Sequence, residues 1–156
     1  MEIRKAEVRD IPGMIELLKQ VGQVHHVIRP DIFRSGAQKY NESDLAELLR
    51  DPTRPIFVAV RGGFVAGYCF CVHKQTRDDP VLMDSRELYI DDLCVDENCR
   101  GQGIARALYA HTLEYARSQG CDAITLNVWH GNDTALRFYE NAGFTPRKTI
   151  MEVKLC

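Results

Sequence analysis

A turn with two glycines, between an apolar run and a segment with helical periodicity, constrains this chain more than any other feature. The turn, Arg100-Gly101-Gln102-Gly103, follows the apolar run from Leu88 to Val95 and precedes a helical pattern that begins at Ile104. Glycine has no Cβ, so Gly101 and Gly103 allow a ligand to approach the main chain closely. The first N–H groups of the following helix lack helical partners and lie at the positive end of its dipole. The pattern predicts a strand, turn and helix that bind an anion such as pyrophosphate.

Two common phosphate-binding loops do not fit this turn. Arg106 stands where a dinucleotide fingerprint has its third glycine, and the next apolar segment, Ala123 to Val128, carries no acidic residue at its end. The pattern Gly-x-x-x-x-Gly-Lys-Ser/Thr occurs nowhere in the sequence. A dinucleotide-binding enzyme and a P-loop nucleotide triphosphatase are therefore both disfavoured.

Two blocks of sequence resemble one known family. Arg100-x-x-Gly103-x-Ala105 resembles the Gln/Arg-x-x-Gly-x-Gly/Ala motif of the GNAT superfamily of acyl-CoA-dependent N-acetyltransferases. The block from Asn127 through Asn132 and Tyr139 to Phe144 is similar to the strand, splayed turn and helix that follow in that family. The resemblance implies an α/β fold with a mixed, mostly antiparallel sheet of six to seven strands, flanked by about four helices, and acetyl-CoA as cosubstrate.

The resemblance also implies the coenzyme contacts. The backbone of Leu93, Cys94 and Val95 is expected to face pantetheine and the thioester, although Leu93 and Val95 also fit plain core positions. Asn132 is expected to meet the pantetheine arm, and its alternative role is a helix N-cap. The pyrophosphate is expected to contact the turn and the start of its helix, at Arg100, Gly101, Gln102, Gly103, Ile104 and Ala105.

The resemblance assigns the departing coenzyme thiolate a proton donor, Tyr139, seven residues after Asn132. A phenol with an ordinary pKa near 10 is protonated at neutral pH, so it can donate that proton. The alternative is a core position, since Tyr139 follows Ala135 by four residues on an apolar helix face.

Asp91 and Asp92 interrupt a strand that is otherwise rich in Leu, Ile and Val. Neighbouring side chains on a strand point to opposite faces, so one carboxylate is expected to face the cleft. By resemblance to the polyamine-acetylating branch of the family, Asp91 is the expected general base, acting directly or through water, and Asp92 a substrate contact. Glu87 is a third candidate, and a surface ion pair is the alternative for each.

The amine acceptor is expected near the polar segment 25–41, which lies between the first two predicted helices and contains His26 and Phe33. In the resembling family this region closes over the acceptor. The sequence leaves open whether the amine belongs to a polyamine, an amino sugar, an amino acid or a protein N-terminus, and whether the acyl group is acetyl.

Periodicity predicts the remaining elements. Alternation predicts strands over Ile3 to Val8, Ile56 to Val60, Phe64 to His73 and Thr149 to Leu155. Helical spacing predicts a helix after Asp10 that fades near Gly22, a short helix capped by Ser43, and two helices after the turn and after Asn132.

Composition sets the remaining expectations. A chain of 156 residues is the size of one domain, 1–156, and its net charge of −2 gives no general field for nucleic acid or an anionic membrane. The start of the sequence shows no apolar secretory core. Six cysteines without C-x-x-C spacing predict reduced thiols and no metal site. A cytoplasmic enzyme is expected, and a homodimer stays open.

The sequence therefore predicts an N-acetyltransferase that moves an acetyl group from acetyl-CoA to a primary amine of a small molecule by direct attack in a ternary complex. The alternatives are a protein N-terminal acetyltransferase and, from another class, a non-catalytic module that binds acyl-CoA.

Overall fold

Apolar and β-branched segments build one mixed sheet of five strands in the computed structural model, which describes all residues from Met1 to Cys156. The strands lie in chain order, the first four pair antiparallel, and the fifth pairs parallel with the fourth. The strands are Glu2–Lys5 (β1), Ile56–Arg61 (β2), Phe64–Thr76 (β3), Ser85–Val95 (β4) and Ala123–Leu126 (β5).

Four α-helices accompany the sheet: Ile11–Ile28 (α1), Glu42–Leu48 (α2), Ile104–Ser118 (α3) and Asp133–Asn141 (α4). Short 3-10 turns span Val8–Asp10 and Glu97–Cys99. None of the helices is long and apolar enough to cross a membrane.

The alternation of side chains along the strands creates two cores, one on each face of the sheet. On one face, Val58 and Tyr68 pack with Leu17 and Leu45 of α1 and α2. On the opposite face, Phe57, Cys69 and Leu88 pack with Leu108 and its neighbours on α3. Both clusters share β2, β3 and β4, so the sheet couples the two helical layers.

The expected six to seven strands are wrong, because residues 149–155 form no strand. Every side chain from Thr145 to Cys156 is exposed, and no backbone hydrogen bond is made beyond Phe144. A strand needs a neighbouring backbone to satisfy its N–H and C=O groups, and this segment has none within the chain.

The expected end of the first helix near Gly22 is also wrong. Helix α1 continues to Ile28, so His25 and His26 lie on its last turn and not in a loop. A Cβ at Gly22 would lie 2.6 Å from the carbonyl oxygen of Ala37, so this glycine permits close packing and does not stop the helix. The short helix is capped by Asn41, whose side chain accepts a hydrogen bond from the Asp44 N–H at 2.8 Å, and not by Ser43.

Candidate active site

The turn between β4 and α3 presents a run of unsatisfied backbone donors. Gly101 and Gly103 adopt φ values of +74° and +79°, which residues with a side chain rarely adopt. The six N–H groups from Gly101 to Arg106 donate no hydrogen bond within the chain, and the first helical acceptor, the Gly103 carbonyl, bonds Ala107. These donors lie at and just before a helix N-terminus, where free backbone N–H groups can bind phosphate oxygens.

Side chains from other elements hold this turn in place. The Arg61 side chain at the end of β2 donates a hydrogen bond to the Gln102 side chain. Gln20 on α1 donates to Asp96 at 3.1 Å and accepts from the Glu97 N–H at 3.1 Å. The turn is therefore positioned by α1 and β2 as well as by β4.

The parallel strands β4 and β5 separate beside this turn. They pair from Glu87 opposite Ala123 to Ile90 opposite Leu126, after which β4 continues to Val95 without β5. Leu93, Cys94 and Val95 pair with β3 only, so one backbone edge of this part of β4 is free of strand pairing. An extended ligand can use such an edge for hydrogen bonds.

A β-bulge begins where the strands separate. Ile90 pairs with Cys71 and Asp92 with Phe70, so Asp91 is an extra residue on β4 without a partner on β3. The bulge reverses the alternation of side chains. The prediction that Asp91 and Asp92 point to opposite faces is therefore wrong. Asp91 binds Lys39 of the α1–α2 connection, and Asp92 binds Tyr68, which belongs to the core on that same face.

The two carboxylates differ in their partners. Asp91 accepts a hydrogen bond from Lys39 Nζ at 2.7 Å, and Asp92 accepts one from the Tyr68 hydroxyl at 2.6 Å. Burial raises the pKa of Asp92 to about 6, although the Tyr68 hydroxyl and the Lys39 charge act to lower it. The neighbouring charge of Asp91 raises it further. Asp92 is thus a carboxylate that titrates close to neutral pH.

Tyr139 lies on α4, half-buried, with its ring edge-on to Phe138 and Phe144 at 5.2 and 5.5 Å between centroids. Burial raises the pKa of its phenol above the usual value, and the charges of Cys69 and Asp92 raise it further. The phenol is therefore protonated at neutral pH.

Asn132 acts as the N-cap of α4, because its side-chain oxygen accepts a hydrogen bond from the Ala135 N–H at 3.3 Å. This is the alternative role that the sequence left open for it. The helix cap uses only the side-chain oxygen of Asn132. The side-chain NH₂ group has no hydrogen-bond partner in the chain and stays able to donate to a ligand.

The residues expected at the acceptor form a small aromatic cluster. His26 Nδ1 lies 2.7 Å from the Phe33 carbonyl oxygen, and the Phe33 ring stacks on His25 at 4.9 Å. Phe33 also packs edge-on against Trp129, which follows β5, at 5.0 Å. The segment after α1 therefore reaches across to the end of β5, beside the point where β4 and β5 separate.

Glu87 lies apart from the bulge, at the paired end of β4 and β5. Its carboxylate accepts a hydrogen bond from Arg147 at 2.6 Å and one from the Thr125 hydroxyl at 3.2 Å. The Arg147 contact lowers the pKa of Glu87, so this carboxylate is a weaker base than Asp92.

Sequence reasoning missed three residues of the site: Lys39, Tyr68 and Trp129. Lys39 is 52 positions from Asp91, and no local pattern signals such a pairing. Tyr68 carried a usable signal, because a tyrosine inside an apolar strand needs a partner for its hydroxyl. Trp129 lies within the second sequence block, and its contact with Phe33 depends on how the α1–α2 connection folds.

This chain is similar to proteins of one known family. Residues 22–144 match the model of the acetyltransferase (GNAT) family. Mycothiol acetyltransferase of Thermobispora bispora is 38% identical over 57% of this chain, which spans only 29% of that protein. Glucosamine 6-phosphate N-acetyltransferase of Trypanosoma brucei brucei is 26% identical over 99% of this chain and 96% of its own length.

A solved structure of similar length has the same fold. A mutant of the BH1408 protein from Bacillus halodurans superposes with a TM-score of 0.96 at 34% identity, over 100% of both chains. The fold is thus shared over the whole length of both chains.

Proposed function

The chain belongs to the acetyltransferase (GNAT) family, and from that membership we propose that it transfers an acetyl group from acetyl-CoA to a primary amine of a small molecule. The observation that carries the proposal is the run of six unpaired N–H groups beside the separated strands β4 and β5. The unpaired N–H groups fit a pyrophosphate. The backbone edge that the separated strands leave free fits an extended pantetheine arm. We place this activity in the cytoplasm.

The turn residues Arg100 to Ala105 are proposed to bind the pyrophosphate. Backbone donors with no competing partner at a helix N-terminus bind phosphate oxygens without first breaking a hydrogen bond. The exposed guanidinium of Arg100 adds positive charge at the same place. The backbone of Leu93, Cys94 and Val95, together with the Asn132 amide, is proposed to hold pantetheine.

The proposed chemistry needs a neutral amine and a protonated leaving group. The amine nitrogen attacks the thioester carbonyl carbon, the C–S bond breaks, and an amide and free CoA result. Tyr139 is proposed to donate its phenolic proton to the departing sulfur, since burial keeps that phenol protonated. A backbone N–H of β4 is proposed to donate to the carbonyl oxygen as negative charge develops there.

The base is proposed to come from the carboxylates at the bulge. We keep Asp91, the residue predicted from the sequence, as the first candidate for the general base. Its carboxylate lies within hydrogen-bond distance of Lys39. Asp92 is the second candidate, because a base with a pKa near the working pH combines a suitable protonation state with a real proton affinity. Either carboxylate also attracts an ammonium group.

An amine panel tests the proposal. We expect CoA thiol release with small primary amines such as polyamines, amino sugars and amino acids, and none with acetyl-CoA alone beyond background hydrolysis. Turnover with N-terminal peptides and not with small amines would assign the protein-modifying alternative. Binding of CoA with no turnover on any amine would assign the non-catalytic alternative.

The panel should be run with Tyr109→Phe as a control for general damage. Tyr109 lies on α3 and contacts the same Phe144 ring at 5.5 Å, but it is not proposed to touch the reactants. Activity that survives in this variant links any loss in other variants to the proposed site.

A further inference from the structure

Lys39 brings a primary amine of the chain itself to the carboxylates of the bulge. Its Nζ donates a hydrogen bond to Asp91 at 2.7 Å, and the sequence has no other lysine that contacts Asp91 or Asp92. Burial acts to lower the pKa of Lys39, but the hydrogen bond and the charge of Asp91 outweigh it, so the group is an ammonium ion. Lys39 thus occupies the place that the proposed reaction gives to an acceptor amine.

The next residue, Tyr40, holds the backbone at Lys39 against the sheet. The Tyr40 ring stacks on Phe70 at 5.8 Å between centroids, and its hydroxyl accepts a hydrogen bond from Arg54 at 3.1 Å. Phe70 is the β3 residue that pairs with Asp92. The packing of the α1–α2 connection therefore fixes the backbone at Lys39 beside the bulge.

The Lys39 side chain has the freedom that a reacting amine needs. It is 49% exposed, and an ion pair exposed to this extent adds little stability, so the ammonium group can leave Asp91. Leu93, the first residue of the backbone edge proposed to hold pantetheine, comes two residues after Asp91, which is roughly 7 Å along a strand. The flexible four-carbon stem of a lysine spans a similar length, so Nζ can reach a thioester placed at that edge.

We propose that Lys39 is a self-acetylation site, to whose Nζ the chain transfers one acetyl group from acetyl-CoA. The inference rests on the proposed function, because it uses the same base, proton donor and cosubstrate.

The transfer follows the steps of the proposed reaction. Asp91 takes one proton from the Lys39 ammonium group, and the nitrogen lone pair forms a C–N bond to the thioester carbonyl carbon. The C–S bond breaks, its electron pair leaves with sulfur, and Tyr139 protonates the thiolate. The nitrogen gives its second proton to water, and Asp91 returns its proton to Tyr139 through water. The products are acetyl-lysine, free CoA and one proton.

The modification ends the reaction that makes it. Acetylation removes the positive charge of Lys39, so its ion pair with Asp91 is lost and the nitrogen is no longer nucleophilic. Each chain therefore releases one CoA in this way. That amount equals the amount of protein, so it lies within the background of an amine panel that uses catalytic amounts of the chain.

Mass spectrometry of the full chain, as purified and after incubation with acetyl-CoA and no added amine, tests the inference. We expect one acetyl group at Lys39, added with a rate constant that does not depend on protein concentration. Lys19 is the internal control, because its Nζ binds Glu16 at 2.9 Å and its side chain is 53% exposed, so uncatalysed acetylation would treat the two lysines alike. Lys39 should react faster than Lys19 by on the order of a hundredfold.

Three variants link the modification to the site. Tyr139→Phe should slow the transfer to Lys39 and leave Lys19 unchanged. Tyr109→Phe should acetylate Lys39 as the parent does. Lys39→Arg keeps a positive charge beside Asp91, and it should gain no acetyl group on any other lysine at the rate seen for Lys39.

The outcomes separate this inference from the proposed function. An unmodified Lys39 in a chain that turns over small amines overturns the inference alone. Acetylation of Lys39 in a chain that is inert toward every amine of the panel supports the inference and overturns the small-molecule proposal. If Lys39 and all of the amines stay unmodified, both are overturned.

Three further results overturn self-acetylation even if Lys39 is modified. Equal rates at Lys39 and Lys19 would show uncatalysed chemistry. A rate constant that rises with protein concentration would show transfer from one copy to another. Transfer that Tyr139→Phe leaves at the parent rate would show that the proposed proton donor takes no part in it.

Discussion

At the scale of single residues, the site depends on how burial changes ordinary side chains. Tyr139 and Asp92 are of common types, yet burial raises the pKa of both, so that the phenol keeps its proton and the carboxylate titrates near pH 6. The Tyr68 hydroxyl and the Lys39 ammonium group fix the two carboxylates in place. The chain thus offers a phenol that can donate a proton and a carboxylate that can accept one.

Removal of the Tyr139 hydroxyl should reduce turnover and leave binding intact. Tyr139→Phe keeps the ring that packs on Phe138 and Phe144, so the Tm should change little. If the phenol protonates the thiolate, kcat should fall by roughly ten- to ten-thousand-fold. Single-turnover kinetics should be compared with those of Tyr109→Phe. An unchanged rate of the chemical step would show that Tyr139 contributes packing and not proton transfer.

The pH dependence of kcat/KM should identify the base. If Asp92 accepts the proton, the acidic limb should have its midpoint near pH 6, and Asp92→Asn should abolish most of the activity. Asp91→Asn should then keep activity and move the midpoint to lower pH, because a negative charge beside Asp92 is lost. If Asp91 is the base, Asp91→Asn should instead lose the activity, with Asp92→Asn the milder change.

The same pKa shift predicts the effect of Asp92→Asn on stability. The carboxyl titrates at about 6 in the folded chain against an ordinary value of 3.8, so the folded state holds the extra proton between these pH values. Stability is therefore lost as pH rises from 4 to 6, by at most about 3 kcal/mol. An asparagine at this position has no charge to bury, so it does not lose stability in this way. Denaturant unfolding should show the variant more stable at pH 7, with a difference that shrinks toward pH 4.

At the scale of elements, the unit of β4, turn and α3 gathers the donors of the proposed coenzyme site. Gly101 and Gly103 have positive φ angles, the N–H groups of this turn are free of hydrogen bonds within the chain, and α3 adds its dipole. The open space around both glycines, where an added Cβ would meet no atom within 4 Å, leaves room for a ligand against the main chain.

Gly103→Val should abolish the rise in Tm that CoA gives to the parent, since a side chain there strains the turn and blocks the approach of pyrophosphate. Gly120→Val is the matched control, because Gly120 has a similar φ of +69° at the opposite end of the same helix. It should carry a similar strain and keep the CoA-dependent shift. If the Gly103→Val variant binds CoA as well as the parent does, the turn is not part of the coenzyme site.

At the scale of the whole molecule, one sheet carries two cores, and we predict that they unfold together. Leu17 belongs to one cluster and Leu108 to the other, and both are at most 1% exposed. Each Leu→Ala change should cost about 2–5 kcal/mol. Fluorescence of Trp129, the only tryptophan, and far-UV circular dichroism should report one coincident transition in both variants. Leu82→Ala, at a 61% exposed position, should leave stability nearly unchanged.

Two separate transitions in either variant would show that the helical layers are independent units. The expectation of a single domain over residues 1–156 would then be wrong. A coincident transition at lower denaturant concentration in both variants supports one cooperative unit.

The sequence alone determined the features that depend on near neighbours in the chain. The pattern at Arg100 to Ala105 predicted the turn and α3, since glycine conformation and helix periodicity are local properties. The spacing from Asn132 to Tyr139 predicted α4 for the same reason. Both blocks were sufficient to indicate the family, which the match over residues 22–144 confirms.

Only the tertiary structure decided which side chains meet and which strands find partners. The bulge at Asp91 placed both carboxylates on one face of the sheet and not on opposite faces as predicted, because register depends on the pairing with β3. Lys39 and Tyr68 reach those carboxylates through contacts that no local pattern encodes. Residues 149–155 have a strand pattern and yet form no strand, because alternation specifies a half-buried surface and a hydrogen-bonding partner must come from elsewhere in the fold.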